Sequence, residues 1–311
     1  GAGGAAGVCV WGVRVRVGGG AGGVGVGGGR VGGGVQGRRL GGGVAGRYGD
    51  MPVRYCCPTG AAAAALGGAA PAQPASVYVH GGGFVLGNLD TRDRVCRVLA
   101  DHAGVPVVAV DYRLSPEAKF PSAVEEVAAV AAYLHEQGAQ HGIDGERLSF
   151  AGDSGGAHLG LAATMYLRAE RGGSDFVKCC LLYYGWFGLT DPSSIRLLGG
   201  PWDGLTEAEW QWYMEMYAND PAELMASPYA NLFLNDMTRD MPACYIAAAE
   251  YDPLRDDSTT LATICEEHGI PYRFELFEGV IHAFLHYTKM LDEANDALEH
   301  GATFYRQQMG L

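Results

Sequence analysis

The chain has 311 residues, 48% of them hydrophobic, enough to bury a full core, and α/β folds of this length commonly run as one domain. With 22 basic against 35 acidic residues the formal charge is −13, which disfavours nucleic acid, an anionic membrane or a polyanionic substrate as partner. The eight cysteines show no metal-ligand spacing, no run approaches about 18 consecutive apolar residues, and the N-terminus lacks the order of a signal peptide, so a reducing, cytoplasmic setting without membrane insertion is expected.

The first segment is unlike the rest. Residues 1–46 hold 22 of the 49 glycines, no Asp, Glu, Lys, Ile or Phe, and no helical or strand period that survives the glycine runs. The segment is expected to be low-complexity and disordered. Its enrichment in residues with G- and C-rich codons, ending abruptly at Arg47, also fits a stretch translated out of frame.

From Arg47 the composition becomes ordinary. Strand-like runs fall at Val77–Val79, Val107–Val110, Leu148–Ala151, Val177–Tyr184, Ala243–Ala249 and Tyr272–Phe277, several apolar throughout, as strands covered on both faces must be. Helical patterns lie between and after them, at about Thr91–Ala103, Ser122–Gln137, Gly155–Arg171, Ser258–His268 and Tyr287–Gln308. This alternation predicts a mainly parallel sheet in one domain over residues 47–311. Residues 187–242 break it: they hold no convincing strand but carry Trp202, Trp210, Trp212, Tyr213 and Tyr217, and are expected to form a helical insertion over the site.

Chemistry concentrates at four strand ends. After Val77–Val79 stands His80-Gly81-Gly82-Gly83-Phe84, whose glycines let backbone N–H groups point into a cavity. A phosphate loop is the alternative, but the chain has no G-x-x-x-x-G-K-[ST] and no G-x-G-x-x-G before a helix. After Leu148–Ala151 comes Gly152-Asp153-Ser154-Gly155-Gly156, a G-x-S-x-G turn running from strand into helix, although a chain this rich in glycine also produces such turns by chance. The amides of Gly82, Gly83 and Gly155 are the candidate oxyanion donors.

A nucleophilic Ser154 needs a base, and His282, just after the last strand-like run, is the best placed of nine histidines. His102, His135, His141, His268, His286 and His300 read as surface or packing residues, while His158 would face away from the reacting atoms on its helix. Asp252 follows Ala243–Ala249 and is the candidate acid, with Glu250 and Asp256 as competitors and a helix N-cap ahead of Pro253 as its other reading. The order Ser154, Asp252, His282 is the Ser, acid, His order of α/β-hydrolases.

Taken together, His80-Gly-Gly-Gly, Asp111-Tyr-Arg-Leu-Ser-Pro-Glu117, Gly152-Asp-Ser-Gly-Gly156, Asp252-Pro-Leu and His282-Ala-Phe resemble the hormone-sensitive-lipase-like, or GDXG, esterases across about residues 47–311. Leu197–Leu205 and Glu278–Tyr287 look closest to bacterial cytoplasmic acetyl esterases. The resemblance implies an α/β-hydrolase fold with helices on both faces of the sheet and a helical cap. It also implies carboxylesterase action on a small-molecule acyl ester, acetyl to butyryl, with no cofactor and no metal. A non-catalytic binding protein on the same fold is the alternative, and homodimerisation stays open. Two departures stand out: Gly155 where the family often has Ala, and residues 1–46, which do not resemble the family's N-terminal cap helices.

Overall fold

A computed structural model describes residues 10–18, 41–42, 45–58 and 71–311. Among the described residues nine strands form one sheet in the order β2-β1-β3-β5-β4-β6-β7-β8-β9. The strands are β1 Val10–Gly18, β2 Gly41–Gly42, β3 Ala45–Cys56, β4 Gln73–Val79, β5 Val107–Val110, β6 Ile143–Asp153, β7 Val177–Tyr183, β8 Ala243–Tyr251 and β9 Tyr272–Ile281. From β5 to β9 every pairing is parallel, while β3 runs antiparallel to both β5 and β1.

The apolar runs are explained by two cores, one on each face. Along β4, Val77 and Val79 enter one core with helices α2 (Ser122–Gln137), α3 (Gly155–Glu170) and α7 (Arg255–Glu267). Tyr78, pointing the other way, enters the second with α1 (Asp93–Ala103) and α8 (Asp292–Met309). Alternate residues therefore meet helices on both sides, so no polar face survives in the central strands.

Residues 1–46 depart from expectation where they are described. Val10–Gly18 forms a strand paired with β3, and β3 itself begins at Ala45. The Val-Arg-Val-Arg-Val stretch at 13–17 has the two-residue period, and a partner strand supplies the ladder that so short an alternation needs. Gly41–Gly42 pairs with β1 as β2, and the remainder of that segment lies outside the described residues.

Between β7 and β8 stand three α-helices, α4 Ser193–Leu198, α5 Glu207–Tyr217 and α6 Pro221–Ala226, one 3-10 turn at Leu232–Leu234 and, among the described residues, no strand. The start of α5 is set by sequence, since Thr206 and Glu209 close a reciprocal capping box. No helix among the described residues is long and apolar enough to cross a membrane.

Candidate active site

The carboxyl ends of the parallel strands gather the side chains singled out by sequence. Ser154 follows β6 directly, Asp252 follows β8, His282 follows β9, and Gly81–Gly83 lie just beyond β4. Ser154 sits at φ 53°, ψ −124°, a conformation that an L residue holds only when its surroundings impose it. Those surroundings are glycines. A Cβ on Gly156 would lie 2.0 Å from the Val79 carbonyl oxygen, and one on Gly152 would lie 2.5 Å from the Gly156 backbone. The tight turn thus requires both, which separates it from a chance glycine turn.

Ser154 Oγ lies 2.9 Å from His282 Nε2, and His282 Nδ1 lies 2.9 Å from Asp252 Oδ2. Asp252 is wholly enclosed, and its carboxylate can only accept, so Nδ1 carries the hydrogen and Nε2 presents its lone pair to the Ser154 hydroxyl. The second Asp252 oxygen accepts from the Leu254 amide at 2.7 Å, so one carboxylate both turns the chain ahead of α7 and holds the imidazole. The competitors point elsewhere: Glu250 accepts from the Gly279 amide, and Asp256 from the Ser194 amide.

Gly81, Gly82, Gly83 and Gly155 line a cavity of about 290 Å³ together with Ser154 and His282. Gly82 and Gly83 have φ of 128° and 59°, open to glycine, and a Cβ on Gly83 would strike the Tyr213 ring at 2.4 Å. At 155 an added methyl would meet Phe84 at 3.2 Å, a tight contact that the absent side chain relieves. Trp186, Leu205, Trp210, Tyr213 and Leu254 supply the apolar wall, most of them from the insertion. Gly204 at φ 77° brings that insertion onto the backbone of His282, where a Cβ would lie 2.9 Å from its carbonyl oxygen.

His80 does not face the reacting atoms. Its ring stacks on Tyr112 at 4.4 Å, its Nδ1 donates to the Gly81 carbonyl, and burial lowers its pKa. His158 is enclosed against Trp186, with its two nitrogens 3.2 Å from the carbonyl oxygens of Trp186 and Tyr229. Burial, working against those two contacts, brings it down to about 4.

Three features escaped the sequence. His286, read as a surface or packing residue, lies on the cavity wall. Arg92 also reaches that wall and pairs with buried Asp153 at 2.8 Å. Burial would raise the Asp153 pKa, but the charge and hydrogen bonds of Arg92 outweigh it and hold the carboxyl down at about 2. The signal was an Asp closing the carboxyl end of a strand whose last residues are otherwise small or apolar, Phe150-Ala151-Gly152.

The third is Asp257, wholly enclosed, whose Oδ1 accepts from the amides of Phe187, Gly188 and Leu189 at 2.7–3.1 Å. Burial pushes its pKa up to about 7 despite those bonds, against 3.8 for a free carboxyl. The native state therefore holds a proton that the unfolded chain has released, and its stability falls as pH rises through that window. Asp257→Asn keeps the accepting oxygen without the charge. Relative to the variant, the wild type is expected to lose about 1–3 kcal/mol between pH 5 and 7, read from urea midpoints. Equal slopes for the two proteins would refute it.

The family described as the alpha/beta hydrolase fold matches residues 76–286. The chain belongs to the α/β-hydrolase fold family. Among solved structures similar to this α/β-hydrolase, an esterase from Pyrobaculum calidifontis shares 35% identity at a TM-score of 0.77, covering 84% of this chain and 83% of its own. A thermophilic carboxylesterase cloned from a metagenomic library shares 30% at 0.77, covering 84% and 86%. An α/β-hydrolase from the metagenome of Lake Arreo shares 27% at 0.78, covering 86% and 81%. The hormone-sensitive-lipase-like placement read from the motifs agrees with these matches.

Proposed function

We propose that this α/β-hydrolase is a carboxylesterase that cleaves short-chain acyl esters through Ser154, His282 and Asp252. The observation that carries the reading is the unbroken line of two 2.9 Å contacts from Ser154 through His282 to buried Asp252, at the floor of a glycine-lined cavity. The esterase and carboxylesterase relatives support the same reaction class.

In this reading His282 Nε2 takes the Ser154 proton as Oγ attacks the ester carbonyl carbon. The amides of Gly82, Gly83 and Gly155 donate to the oxygen that becomes negative, each such donor being worth about 10²–10³ in rate. The alkoxide leaves with the proton returned by His282, and water then repeats the sequence on the acyl-enzyme. Asp252 fixes the imidazole tautomer and stabilises its charged form. No step calls for a metal or cofactor. We further take residues 47–311 as the catalytic unit and 187–242 as its cap.

Short acyl groups are favoured because the cavity, about 290 Å³, sits at the lower edge of the usual range for ligand pockets and is closed by indole and phenol rings. Purified protein assayed on nitrophenyl esters of rising acyl length is expected to show its highest kcat/KM from acetyl to butyryl, falling about tenfold or more by octanoyl. A kcat/KM that climbs through octanoyl would sink the chain-length reading. Folded protein that hydrolyses none of them would return the chain to the binding-protein alternative.

A further inference from the structure

Resting on that esterase reading, we propose that Arg92 is a positioning residue that, through Asp153, fixes the Gly81–Gly83 loop against the nucleophile. Asp153 directly precedes Ser154 in the chain, and its carboxylate is wholly buried. One oxygen, Oδ1, accepts from the Gly81 amide at 3.0 Å and from the Tyr78 hydroxyl at 2.8 Å. The other, Oδ2, accepts from Arg92 Nε at 2.9 Å and its terminal nitrogen at 2.8 Å. A single side chain therefore ties the residue before the nucleophile to the first glycine of the oxyanion loop, and Arg92 holds that side chain in place.

The loop has no slack around this tie. A Cβ on Gly81 would lie 2.5 Å from the Asp153 carbonyl oxygen and 2.7 Å from its Oδ2, so the loop backbone rests directly on the carboxylate. Beyond it the turn is closed by the Val85 and Leu86 amides donating to the Gly82 carbonyl. The guanidinium, donating through two nitrogens to the one oxygen Oδ2, supplies both the countercharge and a direction, which an ammonium does not. Without Arg92, Asp153 is a buried carboxylate with two neutral donors. It is then displaced toward solvent or takes up a proton, and either change moves Gly82 and Gly83 relative to Ser154.

The groups facing the pair are Tyr78 on β4, His80 in the loop, Tyr112 beyond β5, Tyr184 beyond β7, His286 near the cavity and Cys96 on α1. Of these the two imidazoles ordinarily titrate near neutrality and both feel the Arg92 charge, so an additional ionisation in the rate profile of Arg92→Ala is assigned to Asp153 by its disappearance when Asp153→Asn is added.

Arg92→Ala is expected to lower kcat on nitrophenyl acetate about 10–100-fold with KM nearly unchanged, as displacement of about 1 Å does at a reacting centre. A boronic acid that mimics the tetrahedral state should lose affinity by the same factor, and kcat should acquire an acid-side ionisation absent from the wild type. The double variant Arg92→Ala with Asp153→Asn removes the orphaned charge and should recover most of the loss. Arg92→Lys, which keeps charge but not the fork, should fall between. Amide hydrogen exchange at Gly81–Gly83, slow in the wild type and faster in Arg92→Ala, reads the loop without any turnover. If the wild type hydrolyses no ester, the esterase reading fails, and the exchange rates alone still decide whether Arg92 holds the loop. Folded Arg92→Ala with kcat, boronic acid affinity and exchange all within twofold of the wild type would overturn the proposal.

Discussion

Ser154→Ala is expected to lower kcat on nitrophenyl acetate by about 10⁶-fold, the scale of loss when a triad nucleophile is deleted. The reason lies in how completely the site is built around one oxygen. Ser154 Oγ stands 2.9 Å from His282 Nε2, and the turn that lifts it into the cavity depends on Gly152 and Gly156, neither of which has room for a methyl. Ala keeps the same Cβ at the same backbone angles, so the substitution removes the hydroxyl without relieving or adding strain. Thermal unfolding should therefore match the wild type within a few degrees. The glycine loop and cavity stay intact, and a small rate above water should persist from binding and oxyanion contacts alone. An organophosphonate ester should label the wild type once per chain and the variant not at all. Residual turnover above a hundredth of the wild type, with labelling retained elsewhere, would remove Ser154 as the nucleophile.

Much of this architecture was legible because local and global signals agree. The apolar run Val107–Val110 and the helix Ser122–Gln137 coincide with β5 and α2 residue for residue, the one a run too apolar to face water, the other a stretch with the period of 3.6 bounded by Pro121 and Gly138. Ser154, Asp252 and His282 could be read because each lies immediately beyond a strand, where a parallel sheet delivers its functional groups.

What stayed hidden depends on contacts between distant residues. Arg92 and Asp153 are 61 positions apart, and nothing in either neighbourhood announces the pairing. His286 lies four residues beyond His282, in the short turn Phe284–Tyr287, and no period or motif there marks it as facing the cavity. Sequence placed Asp252 ahead of Asp256 as the acid but gave no partner for Asp256 or Asp257, since all three are acids around the start of one helix; the structure sets them against His282, the Ser194 amide and the Phe187–Leu189 amides respectively. The antiparallel pairing of β1 with β3 was missed for a different reason: the Val-Arg alternation at 13–17 spans five residues among glycine runs, too short to be read as a strand without the partner that completes its ladder.

Asp252→Asn discriminates most sharply among those acids, and it is expected to cut kcat about 10⁴-fold. A carboxylate at 2.9 Å from His282 Nδ1 can only accept, which forces the hydrogen onto Nδ1 and leaves Nε2 free to take the proton of Ser154. An Asn oriented with its oxygen on the Leu254 amide, where Asp252 Oδ1 now accepts at 2.7 Å, turns its NH₂ toward Nδ1. That arrangement satisfies every local hydrogen bond and stabilises the wrong tautomer, with the hydrogen on Nε2. The fold should survive, so a cooperative melt close to that of the wild type accompanies the loss of rate. Glu250→Gln and Asp256→Asn change carboxylates engaged with the Gly279 and Ser194 amides, and should keep kcat within about tenfold, an indirect effect on loop positions rather than on the base. If Glu250→Gln instead shows the larger fall while Asp252→Asn turns over normally, the acid of this site is Glu250, and the contact between Asp252 and His282 serves only to turn the chain into α7.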